Sequence, residues 1–230
     1  MKTFRATSGP FRTRPYYEDR EIESICADEL ARVGLLPSAP APVRIERFIE
    51  KRFNVTPTYA DMGEGVLGLT KFDSNGVAEV LISQRLEEAG TKVAERRIWS
   101  TMAHEAGHCL LHAHLYSLGD AQSDLFRSGR DAPEPVLCRG DLEAAKNYNG
   151  EWWEYQANRT IGAFLMPRRL VEIALRPFMI DIGKLGFWFF DRTRTEEAAR
   201  SLAETFDVNP AVARVRIAQM WPVATAQAAL

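Results

Sequence analysis

All four histidines of this 230-residue chain lie within eleven positions, His104, His108, His112 and His114, and the first two frame His104-Glu105-Ala106-Gly107-His108. This H-E-x-x-H pattern constrains the fold before composition does. On an α-helix, residues four apart project from one face with Cβ atoms about 6 Å apart, so two imidazoles can close on one metal ion. Glu105, one position on, can then reach a water held beside that ion. The local sequence supplies the helix. Residues 93–118 contain no proline, Gly90 and Thr91 precede them, and Ile98, Met102, Leu110, Leu111 and Leu115 recur with helical spacing. Gly107 costs about 1 kcal/mol relative to alanine inside a helix, and its missing side chain lets another backbone or a substrate come close.

Helix geometry limits the other two histidines. His112 is eight residues from His104, about 12 Å along a continuous helix, too far to share an ion held at about 2.1 Å. His114 lacks the intervening glycine turn that would bring a third histidine back to the metal. Both are read as supporting residues. Catalytic zinc takes three protein ligands and keeps a position open, so the third must come from another element. Glu154 is the leading candidate, in the helix-like run Glu151-Trp152-Trp153-Glu154-Tyr155-Gln156-Ala157-Asn158. Asn158, one turn on and on the same face, can orient a metal-bound histidine through its other ring nitrogen. Glu151 is a rival one turn earlier. Asp141, Glu143 and Cys138 lie in or beside the polar connection 119–140 and are weaker candidates.

The segments Thr101–His112 and Glu154-Tyr155-Gln156-Ala157-Asn158, followed by the apolar run Ile161–Leu165 ending in Met166-Pro167, resemble the ImmA/IrrE metallopeptidases. Those proteins pair a gluzincin-like H-E-x-x-H helix with a later E-x-x-A-N helix. The residues Ser201–Arg214 are similar to the short helical tail that often follows their core, so the resemblance covers roughly residues 40–220. It implies a cytoplasmic zinc endopeptidase with His104, His108 and Glu154 as ligands and Glu105 as the proton-transferring group. In the studied branches the protein substrate is a helix-turn-helix transcriptional repressor, cleaved in a stress or mobile-element response. Gly162 and Ala163 stand where bulkier or polar residues are usual, which bears on packing rather than on the metal set. Residues 1–39 and 119–150 do not align.

Composition fits this picture. With 46% hydrophobic and 26% charged residues, the chain can bury a sizeable core. A net charge of −2 indicates no global polyelectrolyte partner. The three cysteines, Cys26, Cys109 and Cys138, are odd in number and widely spaced, which argues for a reducing compartment. The first residues lack the apolar core of a signal peptide. The stretch Phe178–Phe190, interrupted by Asp181 and Lys184, is too short to span a membrane and is expected in the core or at a protein contact.

The expected architecture is α+β: a zincin-like core with a small antiparallel sheet packed on the metal-binding helix, mostly helical elsewhere. A helix is expected over 18–36, then a proline-rich connector at 37–42 and a helix at 43–53. Strands at 66–72 and 77–83 flank the turn Asp73-Ser74-Asn75-Gly76. This gives an N-terminal helical extension (1–42), a metallopeptidase core (43–176) and a C-terminal helical tail (177–230). A sheet just before the metal helix can both bury that helix and offer a strand edge to an extended peptide.

Tyr148, Tyr155 and Arg97 are conceivable oxyanion donors, and the sequence selects none of them. A second reading makes the protein a DNA- or partner-binding regulator through the helix pair at 195–206 and 210–220. There Asn209 can cap, Pro210 takes a first helical position, and Arg200, Arg214 and Arg216 supply positive charge. Glu204 and Asp207 leave that face only slightly basic, which weighs against DNA. A third reading keeps the zinc and changes the substrate to a small amide or another non-peptide target.

Overall fold

The computed structural model describes residues 2–5, 13–73, 75–115, 136–139, 152–181 and 188–222. A β1–β2 hairpin (Lys2–Arg5 and Thr13–Tyr16) leads into helix α1 (Asp19–Arg32) and, past the proline-rich connector, α2 (Ile45–Phe53). Strands β3 (Thr58–Ala60), β4 (Val66–Asp73) and β5 (Gly76–Ser83) follow, then the short α3 (Gln84–Glu88) and the long α4 (Lys92–Leu111). Beyond them come β6 (Val136–Arg139), α5 (Trp152–Leu165) and α6 (Arg168–Ala174). The chain continues through β7 (Met179–Asp181) and β8 (Trp188–Phe190) to α7 (Thr195–Phe206) and α8 (Pro210–Met220).

The fold is α+β, as expected, with two differences in the sheet. Its order is β3-β5-β4-β6, and β3 runs parallel to β5 while the other pairs are antiparallel. The expected hairpin is therefore β4–β5, but β4 is an inner strand, because β6 covers its other side. One face of the hairpin lies on α4. Gly68 pairs with Ile82 and Thr70 with Val80, and all four are buried. Period-2 alternation puts these positions on one face, so the sequence commits a glycine and a threonine to the helix-facing layer.

Helix ends follow their caps. Thr91 accepts the Ala94 N–H at 3.1 Å and starts α4. The helix stops at Leu111, with His112 as its C-cap, short of the expected 118. Helix α1 ends at Arg32 rather than Leu36 because Gly34, at φ 71°, turns the chain, and Leu35 N–H returns to Leu30 O at 2.8 Å. Sequence periodicity alone missed the N-terminal hairpin, whose strands are only four residues each.

One hydrophobic core joins residues from all three sequence segments: Ile22 and Leu30 of α1, Phe48 of α2, Ile82, Met102, Phe164 of α5, and Leu202 and Ile217 near the C-terminus. Phe48 and Phe164 meet with ring centroids 4.8 Å apart. The aromatic run at 188–190 divides between core and surface. Phe190 stacks on Trp221 at 5.1 Å, Trp188 lies under the Arg176 guanidinium, and Phe189 is exposed. Phe187 lies outside the described residues. Among the described residues no helix is long and apolar enough to cross a membrane. Cys26 and Cys109 are buried free thiols.

The C-terminal helix pair is bound into this body. Asn209 is the N-cap residue of α8, but its side-chain amide donates to Val93 O at 3.1 Å instead of capping. Asp207, the left-handed C-cap of α7, accepts from Lys92 and Arg96, each at 2.9 Å, and so fastens the turn to the start of α4. Of the three arginines that suggested a basic face, Arg216 is buried at 1% exposure and forms a two-pronged pair with Glu23 of α1, while Arg214 holds Glu196. Gly162 admits Arg216: a Cβ there would sit 2.9 Å from Arg216 Cδ. The unusual glycine after the E-x-x-A-N segment thus makes room for a buried guanidinium. Replacing Glu23 with leucine strands that charge, and denaturant unfolding should show a loss of about 3 kcal/mol. A loss below 1 kcal/mol would mean that Glu23 does not neutralise Arg216.

Candidate metal centre

Helices α4 and α5 cross at Gly107. A Cβ on Gly107 would overlap Thr160 Oγ1, and Thr160 Cβ would lie 3.1 Å from it. Thr160 is held in that place because its hydroxyl donates to Ala157 O at 2.7 Å and lies 3.1 Å from Ala103 O. The close approach expected at Gly107 is therefore made by the partner helix. It sets side chains of α5 against α4: Thr160 at the Ala103 carbonyl, Asn158 at His104, Glu154 at His104 and His108, and Gln156 at His112.

His104 Nε2 and His108 Nε2 are 2.9 Å apart, and the Glu154 carboxylate oxygens lie 3.2 and 3.3 Å from them. Ligand atoms held tetrahedrally at 2.1 Å from one ion would be separated by roughly 3.4 Å, so the three donors have close to the spacing of ligands that share one ion. Their other sides are engaged. His104 Nδ1 faces Asn158 Oδ1 at 3.0 Å, and an amide oxygen only accepts, so His104 carries its proton on Nδ1 and turns a bare Nε2 to the cluster. His108 Nδ1 meets His112 Nδ1 at 3.0 Å. Acceptor nitrogens and a carboxylate crowded together are a donor set suited to a divalent cation.

Glu105 is buried beside this group, and its Oε2 accepts from the Thr70 hydroxyl at 2.6 Å. Its Oε1 has no hydrogen-bond partner among the described residues. Gly68 of β4 leaves the space for that oxygen, because a Cβ there would overlap it. Burial pushes the Glu105 carboxyl up, against the opposing influence of His104, His108 and the Thr70 hydroxyl. Burial also works against ionised Glu154, but the neighbouring His108 and His104 pull that carboxyl well below its ordinary range. His112 is held neutral, lowered to about 3 by burial first and by His108 second.

Residues 50–218 match the profile of Peptidase M78, the IrrE N-terminal-like domain. The chain belongs to the M78 peptidase family. No curated protein matches it. M78 membership carries a metallopeptidase-type function, and the zincin-like α+β fold agrees with it.

Within this M78 chain, the structure brings together His104, Glu105, His108, Glu154 and Asn158. His114 is exposed and outside the group. Glu151, Asp141, Glu143 and Tyr148 lie outside the described residues, and Cys138 falls on β6 at the register position opposite Gly68. Tyr155 OH accepts from Arg159 Nε at 3.0 Å. Thr70, Gly68, Thr160 and Gln156 went unnoticed in the sequence. Only Gly68 left a trace there, as a glycine inside a strand, which marks a close approach.

Gly107→Ala should force α4 and α5 apart and cost about 1–3 kcal/mol, as overpacking does. Adding Thr160→Ala should return part of that loss, because it removes the atom the new methyl would strike. Additive losses in a double-mutant cycle of thermal unfolding would place the strain elsewhere.

Proposed function

We propose that this M78 protein is a zinc-dependent endopeptidase. In this reading His104, His108 and Glu154 hold the ion, Glu105 transfers the proton, and Asn158 orients His104. The observation that carries it is the convergence of two imidazole Nε2 atoms and one carboxylate within 4.8 Å, with Asn158 on the far nitrogen of His104. When bound, zinc supplies Lewis acidity that lowers the pKa of water and polarises a carbonyl without redox chemistry.

The protein's own residues do the rest. Thr70 fixes Oε2 of Glu105, leaving Oε1 to accept a proton from the attacking water and pass it to the leaving amine. Its buried setting, which favours the protonated carboxyl, suits a group that must hold a proton between those steps. Gly68 and Thr70 place β4 against Glu105, so the sheet positions the base as well as burying the helix.

Family membership supports a protein substrate. The resemblance to the repressor-cleaving branches supports the narrower assignment, a cytoplasmic regulatory protease acting on a helix-turn-helix repressor. The test is incubation of the zinc-loaded protein with the repressor-like product of a neighbouring gene. Glu105→Gln should retain stoichiometric zinc and lose cleavage by at least about 100-fold, the scale of a positioned acid–base group. Glu154→Ala should lose zinc as well. Cleavage by Glu105→Gln at the wild-type rate would remove Glu105 from the mechanism, and zinc retained at full affinity by Glu154→Ala would remove Glu154 from the metal.

A further inference from the structure

Behind His108 a buried chain of polar contacts runs away from the metal centre, and its chemistry has only one direction. Pro15 of β2 presents a backbone carbonyl, which only accepts, and Gln156 donates its amide nitrogen to it at 2.8 Å. Gln156 Oε1 is thereby turned to His112 Nε2 at 3.0 Å. An amide oxygen also only accepts, so His112 carries its proton on Nε2. The His112 Nδ1 is then a bare acceptor, and His108 Nδ1, 3.0 Å away, is the donor. With its proton on Nδ1, His108 offers a bare Nε2 to Glu154 and His104.

Each contact removes one of two choices, and the last fixes which nitrogen of His108 faces a cation. The setting enforces that order: His108, His112 and Gln156 are exposed by 0, 0 and 4%. Reversing any link would set two donors or two acceptors face to face where water cannot relieve them. The far end of the chain lies in the N-terminal hairpin, outside the residues matched to the family. The start of α1, which follows that hairpin, is also fastened to α5 just beyond Gln156, where Arg159 pairs with Asp19 at 2.6 Å.

We propose that the Pro15 carbonyl, Gln156 and His112 form a positioning relay that selects the Nδ1–H tautomer of His108, so that the N-terminal hairpin supports the metal centre. This rests on the proposed metal role of His108. Gln156 and His112 touch neither substrate nor ion; they act through His108. Residues behind a metal-bound histidine set its orientation and basicity, and losing them costs about 10–100-fold in metal affinity.

The test is long-range proton–nitrogen NMR of the full chain, labelled at its four histidines, with zinc titrated against a chromophoric chelator. His112 should be protonated on Nε2 alone, with and without zinc, and zinc-loaded His108 on Nδ1. Gln156→Leu should blur the His112 tautomer and weaken zinc about 10–100-fold, while Gln156→Glu, which as the neutral acid keeps an acceptor for His112 and a donor for the Pro15 carbonyl, should recover most of that affinity. A merely space-filling Gln156 would shift the unfolding midpoint and leave tautomer and affinity alone. Protonation of His112 on Nδ1 in the unmodified chain would overturn the relay, as would a folded Gln156→Leu whose zinc affinity stays within twofold of wild type. Should that variant not fold, the tautomer of the unmodified chain decides alone. Failure of the unmodified chain to bind zinc would instead sink the metal reading, and the metal-free tautomer would still decide the relay.

Discussion

The crossing of α4 and α5 at Gly107 and Thr160 sets which side chains of α5 meet the histidines of α4. Backbone-close packing of two helices allows short side chains from one to reach the ring nitrogens of the other, and such an approach requires a residue without Cβ on one side. The Thr160 hydroxyl both fills that gap and bonds its own helix, so the contact is polar, buried and fixed in register. From that register Asn158, Glu154 and Gln156 fall opposite His104, the His104–His108 pair and His112. A one-residue slip along either helix would rotate the carboxylate away from the two imidazoles.

Around this crossing the rest of the fold acts as a brace on three sides. The β4–β5 hairpin lies along α4 with Gly68 and Thr70 at Glu105, so the sheet helps to fix the Glu105 carboxylate. The α7–α8 turn grips the start of α4 through Asp207, Lys92 and Arg96. Burial would raise the Asp207 carboxyl, but the hydrogen bonds and charges of those two cations hold it below its ordinary value. Its contribution to stability is therefore present above the unfolded-state carboxylate range and is lost as pH falls through the lowered folded value. On the third side, α1 and the N-terminal hairpin lie on α5, anchored by Asp19 and the Pro15 carbonyl, while Glu23 ties α1 to Arg216 of α8.

Much of this was legible in the sequence, for definite reasons. The His104–His108 spacing and the following glutamate encode their geometry locally, since a helix turns fixed spacing into a shared face. Glu154 and Asn158 were legible for the same reason, one turn apart on a second helix. The partners of Glu105 were not, because Thr70 and Gly68 reach it through tertiary packing that no local period records. Gln156 was equally silent: its role depends on a carbonyl at Pro15, 141 residues away in sequence. The charge read at Arg216 is not a surface charge, because sequence shows a charge but not its burial, and Arg216 lies inside against Glu23. Which strand would offer an edge to an extended peptide was not readable in the sequence, and β4 takes an inner position because β6 arrives from a part of the chain with no strand signal.

X-ray absorption at the zinc edge of the loaded chain tests most directly whether the two crossing helices present a three-donor nitrogen and oxygen site. Two imidazole nitrogens at about 2.0–2.1 Å and carboxylate oxygen at about 2.0–2.2 Å are expected, with no sulfur in the shell. A sulfur scatterer near 2.3 Å, or a shell with only one imidazole, would contradict that arrangement.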